Sequence, residues 1–105
     1  MNQKKITDKL IKFRDDRSWG KFHTAKNLAI ENQIEAGELA KLFSWGKNPP
    51  ENRVAEEIAD NAIYLLYLCE KYGFNLEDII LQKIAKNELK YATDIDHADK
   101  NCWQV

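Results

Sequence analysis

Apolar positions recur three and four residues apart along nearly the whole chain, and stretches of period two are almost absent. That spacing predicts helices and no sheet. The first helix is expected over Thr7–Arg17, capped by Thr7, with Asp8 in its first turn facing the positive end of the dipole and a narrow apolar side of Leu10, Ile11 and Phe13. The second is expected to follow Thr24, its N-cap, and to reach Trp45, with Gly46 just past the end and Pro49 and Pro50 blocking continuation. The third begins near Pro50 or Glu51, with Asn48 as cap, and ends before Gly73. The fourth starts at the Asn75 cap, with Asp78 three residues on, and runs to about Tyr91. From Ala92 to Val105 the pattern is lost, so residues 1–91 read as one domain and 92–105 as a tail.

Where polar residues fall on these helices is more informative than the helices themselves. On the second, Glu31, Glu35 and Glu38 lie inside or beside the arc of Leu28, Leu39 and Leu42, whereas charges normally occupy the opposite, solvated face. Either these acids pair with Lys or Arg at the edge of the stripe, or they surround a cation. The third helix is aliphatic along Val54, Ile58, Ala62, Leu65 and Cys69, a face suited to core or subunit packing. Its other face carries Glu57, Asp60, Tyr64 and Tyr67. On the fourth, Lys83 and Asn87 interrupt a stripe begun by Leu76, Ile79 and Ile80. A lysine so placed either reaches an anionic site or snorkels to water. Between the first two helices, Trp19, Phe22 and His23 form an aromatic connector that either folds back over the domain or staples the next helix.

The 105 residues are 44% hydrophobic and 31% charged, as expected of one folded domain whose small core would gain from assembly. A net charge of −1 gives no global attraction to nucleic acid or to an anionic membrane. No apolar run approaches a membrane span, and no apolar segment follows the basic N-terminal residues as in a signal peptide. Cys69 and Cys102 sit in dissimilar surroundings, which argues against a disulfide and for a reducing, cytoplasmic setting.

The two acidic pairs, Glu35 with Glu38 and Glu57 with Asp60, each have i, i+3 spacing, so each presents two carboxylates on one helix face. Reversal of the chain between Ser44 and Pro50 would bring all four together. Four such carboxylates suit a hard dication, above all Mg²⁺, which binds a few carboxylates and keeps positions open for phosphate oxygens. Lys26, Lys83 or Lys90 can meet the remaining phosphate charge, and Trp19, Trp45 or Tyr64 can stack on a base. No Gly-rich phosphate loop, G-x-S-x-G, C-x-x-C or H-E-x-x-H motif offers a rival chemistry.

The E-x-x-E, spacer, E-x-x-D arrangement resembles the hallmark of the MazG-like all-α nucleoside triphosphate pyrophosphohydrolases. The likeness continues in order through Phe13 to Trp19, Phe22 and His23, Lys26 to Ala29, Phe43 to Trp45, Ile63 to Leu66, Lys83 to Asn87, and Lys90 with Tyr91. It is nearest the single-domain branch that includes the dCTP pyrophosphatases, and it covers roughly Leu10 to Tyr91. The resemblance implies a four-helix bundle that assembles as a homo-oligomer, a tetramer, and cleaves a (deoxy)nucleoside triphosphate to the monophosphate and pyrophosphate. It places Mg²⁺ on Glu35, Glu38, Glu57 and Asp60, which also serve as the catalytic acids. It places substrate on Trp19, His23, Lys26, Trp45, Tyr64, Lys83, Asn87, Lys90 and Tyr91. Two departures stand out: Ala92 follows Tyr91 where proline is usual, and Glu31 replaces a small residue, either beside the metal ligands or altering the number of ions. A phosphoribosyl-ATP-type pyrophosphohydrolase and a non-catalytic helical interaction module remain as alternatives.

Overall fold

The computed structural model describes residues 1–46 and 48–91, so the expected tail lies outside the described residues. Four α-helices appear in order, α1 (Gln3–Asp16), α2 (Ala25–Lys41), α3 (Glu51–Tyr72) and α4 (Leu76–Lys90), with a single 3₁₀ turn at Gly20–Phe22 and no strand among the described residues. The all-helical expectation is met. The helices divide between two compact units, the first ending at Phe74 and the second beginning at Asn75.

Local chemistry explains most of the boundaries. Thr24 accepts from the Asn27 amide and Asn75 from the Asp78 amide, so both expected caps satisfy otherwise orphaned donors. Gly73 closes α3 at φ 69°, a left-handed conformation that favours glycine. Three expectations need correction. The first helix begins four residues before Thr7, because Asn2 caps it by accepting from the Lys5 amide. The second ends at Lys41, and the chain runs on through turns before Gly46 takes φ 71°. Asn48 does not cap α3; Pro50 stands at that position without a side-chain bond, and its missing amide suits the entry.

In the first unit α2 packs along α3, and α1 lies against α3. The buried apolar side chains are few: Leu28, Leu66, Tyr67 and Cys69. Tyr67 also donates to the Leu10 carbonyl at 2.7 Å, so one residue ties α3 to α1 by both packing and a hydrogen bond. Beside it Arg14, on α1, pairs with Asp15 and lies 3.8 Å from Glu70 of α3. The aliphatic face of α3 is therefore not the main core face. Cys69 is buried, but Ile58 keeps 54% and Leu65 40% of its surface open. Tyr67 turns inward on the side of the helix that carries the acids, and Leu66 is buried beside Cys69.

The second unit, as far as it is described, is α4. Ile80, Leu81, Ile84 and Leu89 are exposed along it. Lys83 and Lys90 are exposed, and Asn87 and Tyr91 are half-buried.

Candidate metal centre and aromatic pocket

Glu35 comes from the middle of α2, and Glu57 and Asp60 from successive turns of α3. One ligand oxygen from each lies within 4.8 Å of the other two. The i, i+3 spacing puts Glu57 and Asp60 on one face, and packing of α2 on α3 brings Glu35 to them. Glu38 lies outside this close group, although its charge is felt at Glu35.

The electrostatics are those of crowded like charges. Burial pushes the Glu35 carboxyl above its ordinary value, and the charges of Asp60, Glu57 and Glu38 push it further, as does its hydrogen bond with Glu57. One carboxylate oxygen of Glu57, Oε2, is buried and has no hydrogen-bond partner. Such an orphan is costly unless something positive meets it. An all-oxygen donor set around an orphaned buried oxygen fits a hard divalent cation.

Asn61 holds the arrangement together and was not singled out by the sequence. Its half-buried amide donates to the Glu57 carbonyl at 2.8 Å and to the Glu35 carbonyl at 3.2 Å. It thus pins the backbone of α2 to α3 at one acid from each pair. An asparagine in mid-helix, next to Asp60 and disfavoured there by propensity, was the available signal.

A pocket of about 350 Å³ is lined by Trp19, Phe22, His23, Asn27, Leu28, Glu31 and Tyr64. The connector therefore does fold back, and its 3₁₀ turn and the two residues flanking it supply Phe22, Trp19 and His23 to the lining. Trp19 is fixed by an edge-on contact with Phe13, 5.6 Å between centroids, and Asn27 by donating to the Phe22 carbonyl. His23 meets the Tyr67 ring edge-on at 4.6 Å, and its Nδ1 is buried without a partner. Burial, then the charges of Arg14 and Lys71, lowers the His23 pKa below its ordinary value, so the ring is neutral at pH 7. The Tyr64 hydroxyl is held protonated by burial and by the nearby Glu31, Glu35 and Asp60 charges.

Of the residues the sequence nominated for substrate, Trp19, His23 and Tyr64 share this pocket. Lys26 is exposed in the first turn of α2 and is not among its lining residues. Trp45 sits in the turns after α2 with 86% of its surface open, also away from the lining. Lys83, Asn87, Lys90 and Tyr91 belong to the second unit, on and just after α4. Phe22, Asn27, Leu28 and Glu31, outside the expected substrate set, complete the lining.

An all-α unit with acids converging from two helices beside an aromatic pocket defines a helical, acid-centred class of protein. Residues 30–104, well over half of the chain, match the MazG-like family, and the chain belongs to it. It is similar to dCTP pyrophosphatase 1 of Mus musculus, 34% identical over 89 residues that make up 75% of this chain and 52% of that protein. It is equally similar to dCTP pyrophosphatase 1 of Homo sapiens, 34% identical over 89 residues, again 75% of this chain and 52% of the relative. The chain thus spans about half the length of these mammalian relatives. A solved structure of a pyrophosphatase from Archaeoglobus fulgidus superposes with a TM-score of 0.81 at 38% identity, covering 89% of this chain and 94% of that one.

Proposed function

We propose that this protein is a nucleoside triphosphate pyrophosphohydrolase that converts a (d)NTP to its monophosphate and pyrophosphate, with dCTP-like substrates and a role in clearing the nucleotide pool. The observation that carries this reading is the convergence of Glu35, Glu57 and Asp60 within 4.8 Å, with Glu57 Oε2 buried and unpartnered. The names of the mammalian relatives and of the archaeal structure support the same reaction class.

Glu35, Glu57 and Asp60, joined by Glu38, hold the divalent cation, and we take that cation to be Mg²⁺. When bound, it supplies charge neutralisation for the phosphates and a more acidic water. Asn61 keeps the two acid-bearing helices in register. Trp19 and Tyr64 flank the base while neutral His23 closes the pocket without adding charge. Lys26, Lys83 and Lys90 are the cations assigned to the phosphates, and Trp45, Asn87 and Tyr91 complete the substrate set. Residues 1–91 form the catalytic domain and 92–105 a tail. The enzyme works in the cytoplasm as a homo-oligomer, a tetramer by family resemblance, and the exposed Ile58 and Leu65 support such assembly.

Pyrophosphate release across a panel of dNTPs with Mg²⁺ tests the reading. Release from at least dCTP, lost in Glu38→Gln, is the expected result. Activity confined to phosphoribosyl-ATP would transfer the protein to the biosynthetic branch, and absence of Mg²⁺-dependent nucleotide binding would leave a helical interaction module.

A further inference from the structure

Glu31 is the one acidic residue in the lining of the aromatic pocket. It stands one helical turn before Glu35 on α2, at the i, i+4 spacing that makes helix neighbours. Yet it is not part of the close acidic group, which consists of Glu35, Glu57 and Asp60. Its charge is felt instead at Tyr64, across the pocket lining. No ion pair or hydrogen bond engages its carboxylate among the described residues. The other polar groups of the lining do not neutralise it, since the His23 ring is uncharged and Asn27 donates its side-chain amide to the Phe22 carbonyl. The pocket therefore contains a carboxylate that only accepts hydrogen bonds and that no side chain of the lining engages.

We propose that Glu31 is a specificity-determining residue that selects bases bearing an exocyclic amino group, an inference that rests on the pyrophosphohydrolase reading of the site. Cytosine, adenine and guanine each present an amino group whose N–H bonds match a carboxylate acceptor. Uracil and thymine present a single ring N–H flanked by two carbonyl oxygens, and a carboxylate beside those oxygens is repelled. A site built around a polar partner discriminates most strongly against the analogue that leaves that partner unmatched. Cytosine and uracil differ at this edge by amino for carbonyl at nearly constant shape, so they isolate the effect.

The test is calorimetric titration of the full chain, in the presence of Mg²⁺, with dCMP and separately with dUMP, for the wild type, Glu31→Gln and Glu31→Ala. Glu31 is exposed, so neither variant should disturb the fold, which circular dichroism verifies. The wild type is expected to bind dCMP about tenfold or more tighter than dUMP, a gap of about 1.4 kcal/mol. Glu31→Gln should bring the ratio close to one, because an amide can also donate to a uracil carbonyl. Glu31→Ala should lower the ratio by removing the acceptor. A ratio unchanged in both variants overturns the proposal, as does equal wild-type affinity for the two monophosphates or failure to bind dCMP. Because this readout involves no turnover, absence of pyrophosphate release from every triphosphate would strike the catalytic reading separately.

Discussion

The two faces of α3 look like the wrong way round. The aliphatic row Val54, Ile58, Ala62, Leu65 and Cys69 is what a sequence reader would bury, yet Ile58 and Leu65 are exposed. The face carrying Glu57, Asn61, Tyr64 and Tyr67 is the one that meets α2 and α1. The difference teaches that polarity on a helix does not by itself mark the solvent side. Carboxylates can face inward when a hydrogen-bonding frame holds them and a cation is available to offset their repulsion. Aliphatic residues can face outward when another surface covers them.

The sharpest break in this comparison is to remove an inward acid. Glu57→Gln should lower Mg²⁺-dependent pyrophosphate release by about three orders of magnitude, the scale of losing several kcal/mol of charge stabilisation. A variant retaining most activity would expel Glu57 from the centre. The same face should also show a trade-off between stability and function. Glu35 has a raised pKa, so at neutral pH its ionised form is disfavoured by the fold relative to the unfolded chain. Its proton-linked stabilisation is present at low pH and is lost as pH rises through the raised value. Glu35→Gln is therefore expected to raise the melting temperature of the metal-free protein at pH 7 while abolishing stabilisation by Mg²⁺; a lower melting temperature would contradict the like-charge account.

Core substitutions come next. Leu66→Ala should reduce unfolding free energy by about 2–4 kcal/mol in denaturant melts, from lost transfer energy plus a cavity. Tyr67→Phe keeps the ring but deletes the donor to the Leu10 carbonyl, and should cost about 1 kcal/mol. The smallest effect on the isolated chain is expected on the outward side. Ile58→Asp with Leu65→Asp should change monomer stability by no more than about 0.5 kcal/mol each, while reducing the mass measured by analytical ultracentrifugation. Unaltered mass in that double variant would show that this aliphatic face is not where subunits meet.

Much of the fold was legible because its signals are local. Thr24 and Asn75 cap through their own first turns, and Gly73 ends α3 at the left-handed position its missing side chain permits. The misses were also local competitions. Asn2 out-competed Thr7 as a start signal, and the second helix gave way to turns before Gly46. In the site, the acids were visible from their spacing and the connector aromatics from their unusual place in a loop. Asn61 and Asn27 were not, because each acts through a hydrogen bond to the main chain, which leaves no periodic trace.

The sequence by itself determined that the chain is helical, that two acidic pairs recur at helical spacing, and that an aromatic segment precedes α2, since these depend on composition and on neighbours one turn away. Only the tertiary structure decided which carboxylates converge. It drew Glu35, Glu57 and Asp60 together, left Glu38 at a greater remove, and placed Glu31 against the aromatic pocket instead of in the acidic group. Those outcomes depend on how α2 rolls and slides on α3, which is fixed by side-chain packing and by the Asn61 bridge between helices, and a helical period contains neither.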